Sequence, residues 1–151
     1  MTILWGVKPE QGEGRRLLLD LATGVAALGL AAVFTASSLG KIVRGNDFRD
    51  ALRRTYGFSG PPLAVASRLV PTVELGCAGL LVWPMGRTVG LALTTLLLLT
   101  FTSVAGAAWA SGRQGDCGCW GFVHEQLGLR AVTQDVVLTL VSVTALALRF
   151  G

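Results

Sequence analysis

Charge is what this chain has least of. Only 15% of its 151 residues are Asp, Glu, Lys or Arg, against 52% hydrophobic, and the mean hydropathy is +0.60. Soluble domains carry about 25% charged residues, so the balance excludes a water-soluble globule and indicates a membrane protein. Polar sequence is too sparse for a separate soluble module, and one domain over residues 1–151 is expected. Three cysteines are too few for a disulfide scaffold; a close pair with a lone third points to redox or metal chemistry. No internal repeat and no haem, flavin or quinone motif is visible, so the sequence calls for no cofactor. The net charge of +4 implies no nucleic-acid partner. The basic residues fall at the ends of apolar stretches, where they meet lipid headgroups, and no aromatic-studded basic face accompanies them.

What is abundant is long apolar sequence. About 20 apolar residues suffice to cross a hydrocarbon core roughly 30 Å thick, and four segments qualify: 17–40, 69–86, 88–111 and 131–149. The first opens after Arg15-Arg16, closes at Lys41 and contains one charge, Asp20. Its apolar core is too long for a signal peptide and follows a 16-residue polar leader, which predicts a retained helix. The second contains Pro71 and Glu74, which neighbouring helices can shelter. The third has no charge between Arg87 and Arg113, and the fourth carries Asp135 near its start and Arg149 at its end. Between the first two, NDFRDALRRTYG (46–57) spaces Phe48, Leu52 and Tyr56 four residues apart, with Arg49, Arg53 and Arg54 elsewhere around the turn. That pattern predicts a short helix lying on the headgroups, and Gly57–Pro62 is expected to break any helix before the second span. The predicted fold is all-α: an integral membrane four-helix bundle with a short interfacial helix between the first and second spans.

Four crossings fix which residues share a membrane face. Lys41, Arg68, Glu74, the DCGCWG run (116–121), His124 and Asp135 belong to one face, and Asp20, Arg87 and Arg149 to the other. Eight Lys or Arg lie on the cysteine face and five opposite. The positive-inside count taken literally makes the cysteine face cytoplasmic, whereas Arg15-Arg16 ahead of the first span argues the reverse.

Cys117 and Cys119 flank a single glycine. A turn there brings alternate Cα atoms within disulfide reach, and Gly118 makes the turn available. A bridge across one residue is strained, hence easily reduced and suited to exchange. As a staple it would remove little chain entropy. Two other readings stand beside exchange. Cys117, Cys119 and His124 form C-x-C-x4-H, with Asp116 or Cys77 as a further ligand for Zn or Cu(I), although the usual zinc spacing is wider. The third reading is a tight turn with inert thiols, in a membrane scaffold that does no chemistry. Cys77 lies three residues after Glu74, on the same helical face and one turn deeper; it reads either as a small hydrophobe or as a resolving thiol. Glu74 is a carboxylate inside a span and needs a partner, with Lys41 and Arg68 as candidates, or carries protons. Asp135 reads as a helix-start carboxylate near the favourable dipole.

The succession FTASSLGKI, FRDALRRTYG, VPTVELGCAGLLVW and GRQGDCGCWG, over about residues 17–149, resembles the MauE family of methylamine-utilisation membrane proteins, related to the DoxX group. The CGC-aromatic-Gly run is its most specific element; Trp120 stands where the family commonly has Phe, which keeps the aromatic cover. The resemblance implies a multi-pass protein of the cell membrane, a possible thiol-disulfide oxidoreductase, that works with a thioredoxin-like partner to set disulfides in an exported client. In the namesake system the client is the small subunit of methylamine dehydrogenase. It also implies an extracytoplasmic CGC loop, where oxidised pairs persist.

Overall fold

The computed structural model describes residues 9–112 and 129–150. Among them are five helices and no strand: α1 Pro9–Val43, α2 Gly45–Arg54, α3 Gly60–Val82, α4 Arg87–Ala110 and α5 Leu129–Phe150. Four are long and apolar enough to span a membrane, over Glu13–Val43, Gly60–Val82, Arg87–Ala110 and Leu129–Arg149. The 35 residues of α1 make roughly 50 Å of helix at 1.5 Å per residue. That exceeds the hydrocarbon thickness, so its first turns, with Arg15 and Arg16, reach past the apolar layer.

The four spans close a ring in which α1 packs on α3, α3 on α4, α4 on α5, and α5 back on α1. Small residues let them approach. The core is Ala27, Leu30, Ala31 and Phe34 of α1 with Cys77, Ala78 and Leu81 of α3, Leu91 and Leu98 of α4, and Ala145 of α5. Lipid tails are as apolar as leucine, so close packing and interhelical hydrogen bonds hold such a bundle, not expulsion of apolar surface from water. Leu17, Leu18, Leu21 and Val25 accordingly face outward. Thr95 and Ser142 share a hydrogen bond of 2.7 Å, and Thr102 and Thr139 one of 3.3 Å, which set α4 and α5 antiparallel.

Two local features differ from the sequence reading. The second span begins at Gly60, nine residues before the expected Leu69, because Pro61 and Pro62 occupy the first helical positions. There the missing N–H groups cost nothing and the fixed φ favours the helix. The break is confined to residues 55–59, closed by Gly57 and Gly60 at φ 74° and 62°. The amphipathic helix is present as α2, but its apolar stripe meets the bundle and not the headgroups: Phe48 and Leu52 are buried against Leu63 of α3, with Tyr56, Ala66 and Val70 beside them.

The α3–α4 connection is tight, with the Gly86 N–H donating to Trp83 O at 3.0 Å. It brings α4 so close that a Cβ on Gly90 would sit 3.0 Å from Leu80 C and Leu81 N, whereas one on Gly106 would meet nothing within 4 Å. Backbone cannot yield as a side-chain tip can, so Gly90→Val is expected to destabilise by about 1–3 kcal/mol. Gly106→Ala should leave stability unchanged or raise it, read as thermal midpoints in one detergent.

Candidate functional site

Lys41 stands in the last turn of α1, one turn beyond Ser37 and on the same face. Across the helix interface Glu74 lies one turn beyond Pro71 on α3. The Lys41 ammonium donates to Glu74 Oε1 at 2.5 Å and to Ser37 Oγ at 2.6 Å. The Ser37 hydroxyl lies 3.4 Å from both Glu74 oxygens. Both charged side chains are enclosed, at 2% and 3% exposure. Ser38, fully buried, donates to Pro71 O at 2.7 Å; the same stretch of α1 thus makes two polar contacts with one turn of α3.

An unpaired charge at this depth is strongly unfavourable, and pairing with hydrogen bonds offsets much of that. Of the two bases the sequence offers Glu74, the structure uses Lys41. Arg68 is exposed and lines an open groove with Asn46, Arg49 and one side of Lys41.

Asp135 corrects its sequence reading. Helix α5 already runs from Leu129, so Asp135 falls in its second turn and, at 4% exposure, inside the bundle. With Ser37 and Glu74 it lines a cavity of about 20 Å³, walled otherwise by Val33, Phe34, Leu98, Phe101 and Leu138. That is space for about one water. Two carboxylates and a lysine from three helices therefore converge at one end of the bundle. Asp135, like Glu74, is a carboxylate inside an apolar span, a signal that the helix-start reading passed over. Ser37 was missed by sequence reasoning; its only signal is its spacing of four from Lys41.

Cys77 points elsewhere. Its thiol is free, 2% exposed, and belongs to the core cluster with Phe34, Leu81 and Leu91. Cys117, Cys119 and His124, the candidate redox pair and the alternative metal ligands, lie outside the described residues. Among the described residues no group of three or more His, Cys, Asp or Glu could hold a metal ion. The helix ends that bracket residues 113–128 are described. Ala105 and Ala108 near the end of α4 pack with Ala131 at the start of α5, and Tyr56, just after α2, packs against this cluster. Asp20 and Arg149 meet at 3.3 Å, joining the start of α1 to the end of α5. Arg87 lies against Gly24 with its Nε buried and unpartnered. Among the described residues Lys41, Glu74 and Asp135 lie at one end and Asp20, Arg87 and Arg149 at the other, as four crossings require.

Lys41→Met leaves Glu74 buried with no cation, and Glu74→Met leaves Lys41 with no anion; each is expected to cost about 3–5 kcal/mol. The double replacement removes both charges and should recover most of that loss. Unfolding titrations of the four proteins in one detergent check the coupling.

A family model described as methylamine utilisation protein MauE matches residues 19–148. No curated protein and no solved structure matches the chain. The matched region runs from the first span to the last and contains α2, the Lys41–Glu74 pair and the Cys-Gly-Cys run, in agreement with the sequence resemblance. With four membrane helices arranged around that pair, the chain belongs to the MauE family of membrane proteins.

Proposed function

We propose that this protein is a membrane-embedded thiol-disulfide exchange protein. Cys117 and Cys119 form its redox pair, a thioredoxin-like protein is its partner, and the disulfides it handles mature an exported client, methylamine dehydrogenase-like in the namesake system. The observation that carries the reading is where the chain leaves and rejoins the bundle. Residues 113–128 run between the end of α4 and the start of α5, which pack together under Tyr56, at the end that holds Lys41, Glu74 and Asp135. Cys77, meanwhile, is enclosed in the core and acts in this account as a small apolar side chain. Exchange then runs between the Cys-Gly-Cys pair and a thiol of another molecule.

The chemistry balances without further reactants. A partner thiolate attacks one sulfur of the Cys117–Cys119 disulfide, the S–S bond breaks, and the other sulfur leaves as a thiolate and takes up a proton. The partner's second thiol then attacks the mixed disulfide and releases the second cysteine. Two electrons and two protons have passed from partner to pair, which oxidises the partner; the reverse sequence reduces it. In this reading the pair faces the extracytoplasmic side, where disulfides persist, and Glu74, Lys41 and Asp135 are the proton-exchanging groups described at the same end of the bundle.

Single replacements test the reading. Cys117→Ser or Cys119→Ser is expected to accumulate a mixed disulfide with a thioredoxin-like protein, seen as a dithiothreitol-sensitive band shift in membranes. The variant lacking both cysteines gives none, and Cys77→Ala behaves as wild type. Absence of any adduct, with stoichiometric metal in the anaerobically purified protein that is lost in His124→Ala, would instead establish the metal site of Cys117, Cys119 and His124.

A further inference from the structure

Beneath α2 lies a second, larger cavity of about 200 Å³. Phe48 and Tyr56 line one side, Val70 of α3 another, and Thr100 and Phe101 of α4 a third; among the described residues Lys41 contributes the only charged group in its wall. The Lys41 ammonium lies 5.7 Å from the Phe48 ring centroid and 5.6 Å from that of Phe101, within cation-π range of both. Glu74 is absent from this wall. It lines the water-sized cavity, to which Phe101 and Asp135 also contribute. Lys41 thus stands between an aromatic chamber and a pair of buried carboxylates. Tyr56 joins the chamber to the helix ends that bracket the cysteine segment, since it lines the one and packs on the other.

The exchange reaction sets a requirement that this geometry meets. A pair that oxidises partner after partner must return two electrons and two protons to an acceptor at each turnover. Cys77 is enclosed in the core, and the described residues hold no metal-binding cluster. An acceptor that reaches a site between membrane helices is lipid-soluble. Ligand sites of this kind are mostly apolar, with few polar groups that fix orientation. A planar ring suits the aromatic walls, a carbonyl oxygen suits the ammonium, and an apolar tail suits the surrounding lipid. An acyl chain would fill the same volume but would set a charged group against hydrocarbon with nothing gained. We infer that the cavity between α2, α3 and α4 binds the head group of an isoprenoid quinone, the oxidant of Cys117 and Cys119; this rests on the exchange reading given above. In the step, two S–H bonds break and one S–S bond forms. The two electrons enter the quinone ring, and the two protons end on its two oxygens, giving the hydroquinone. Lys41 orients one carbonyl, and Glu74 with the pocket toward Asp135 supplies a proton route on its far side.

The test uses the full-length protein in quinone-free lipid nanodiscs, with a decyl-chain benzoquinone as probe. Pre-reduced protein freed of reductant should convert one quinone to hydroquinone for every two thiols lost. Ala66→Phe fills the cavity and leaves Lys41 and Glu74 unreplaced, and is expected to weaken quinone binding at least tenfold; Val104→Trp, filling from the more exposed side, serves if Ala66→Phe does not fold. The Cys117→Ser/Cys119→Ser protein should bind quinone as wild type does and reduce none. Wild-type affinity in both filled variants, or displacement by an acyl-chain phospholipid and not by quinone, overturns the assignment and leaves a lipid-tail cavity. Mixed-disulfide formation without quinone binding also overturns it while the exchange reading stands. Saturable, cavity-dependent quinone binding with no thiol oxidation and no mixed disulfide would uphold the site and remove the exchange reading.

Discussion

The contact between Lys41 and Glu74 organises this bundle. Most other interhelical contacts are close approaches of alanine, leucine and hydroxyl side chains, each weak and tolerant of small shifts in register. A charge pair enclosed at 2.5 Å is not tolerant, because displacement of either helix would strand a charge away from water. It therefore fixes α1 against α3, with Ser37 and Ser38 on one helix and Pro71 on the other extending the same contact. Whether such a pair adds net stability is a separate matter; its value here is that only one arrangement of the two helices satisfies it.

That arrangement places the chemistry. Fixing Lys41 sets the ammonium between Phe48 and Phe101 and puts Glu74 opposite Asp135 across space for one water. The amphipathic α2 then roofs the chamber with the same stripe, Phe48 and Leu52, that would otherwise face the headgroups. At this end the chain leaves α4 and enters α5 through the segment carrying Cys117 and Cys119. Among the described residues the opposite end offers the Asp20–Arg149 contact and the buried edge of Arg87. In our proposal the thiol chemistry joins the proton-carrying groups and the aromatic chamber at the Lys41 end, and the three work in series.

Much of this was legible before any coordinates, for physical reasons that differ from residue to residue. Uninterrupted apolar runs can be nothing but spans, so the third and first were plain; the second was clipped at Leu69 because Ser67 and Arg68 dilute it and two prolines read as a break when they in fact open the helix. Glu74 was marked by its misfit with lipid. Its partner was not, because choosing Lys41 over Arg68 depends on the register between two helices, which periodicity within one helix does not contain. Asp135 was misread for a related reason: its distance from the helix start decides between a dipole-stabilised terminus and a buried group, and α5 begins earlier than the apolar run does. The aromatic chamber left no trace in sequence, since its walls come from four separate helical segments and their connections. The family match to residues 19–148 agrees with the succession of motifs read along the chain.

The account depends most on two sulfurs that open and close their bond. Its most direct test is an equilibrium redox titration of Cys117 and Cys119 in native membranes, read by alkylation shift across graded dithiol buffers. A single two-electron transition, changing tenfold for about 30 mV, is the predicted result. Cysteines that stay in one state across the accessible range, or that alkylate only after a chelator is added, would contradict it.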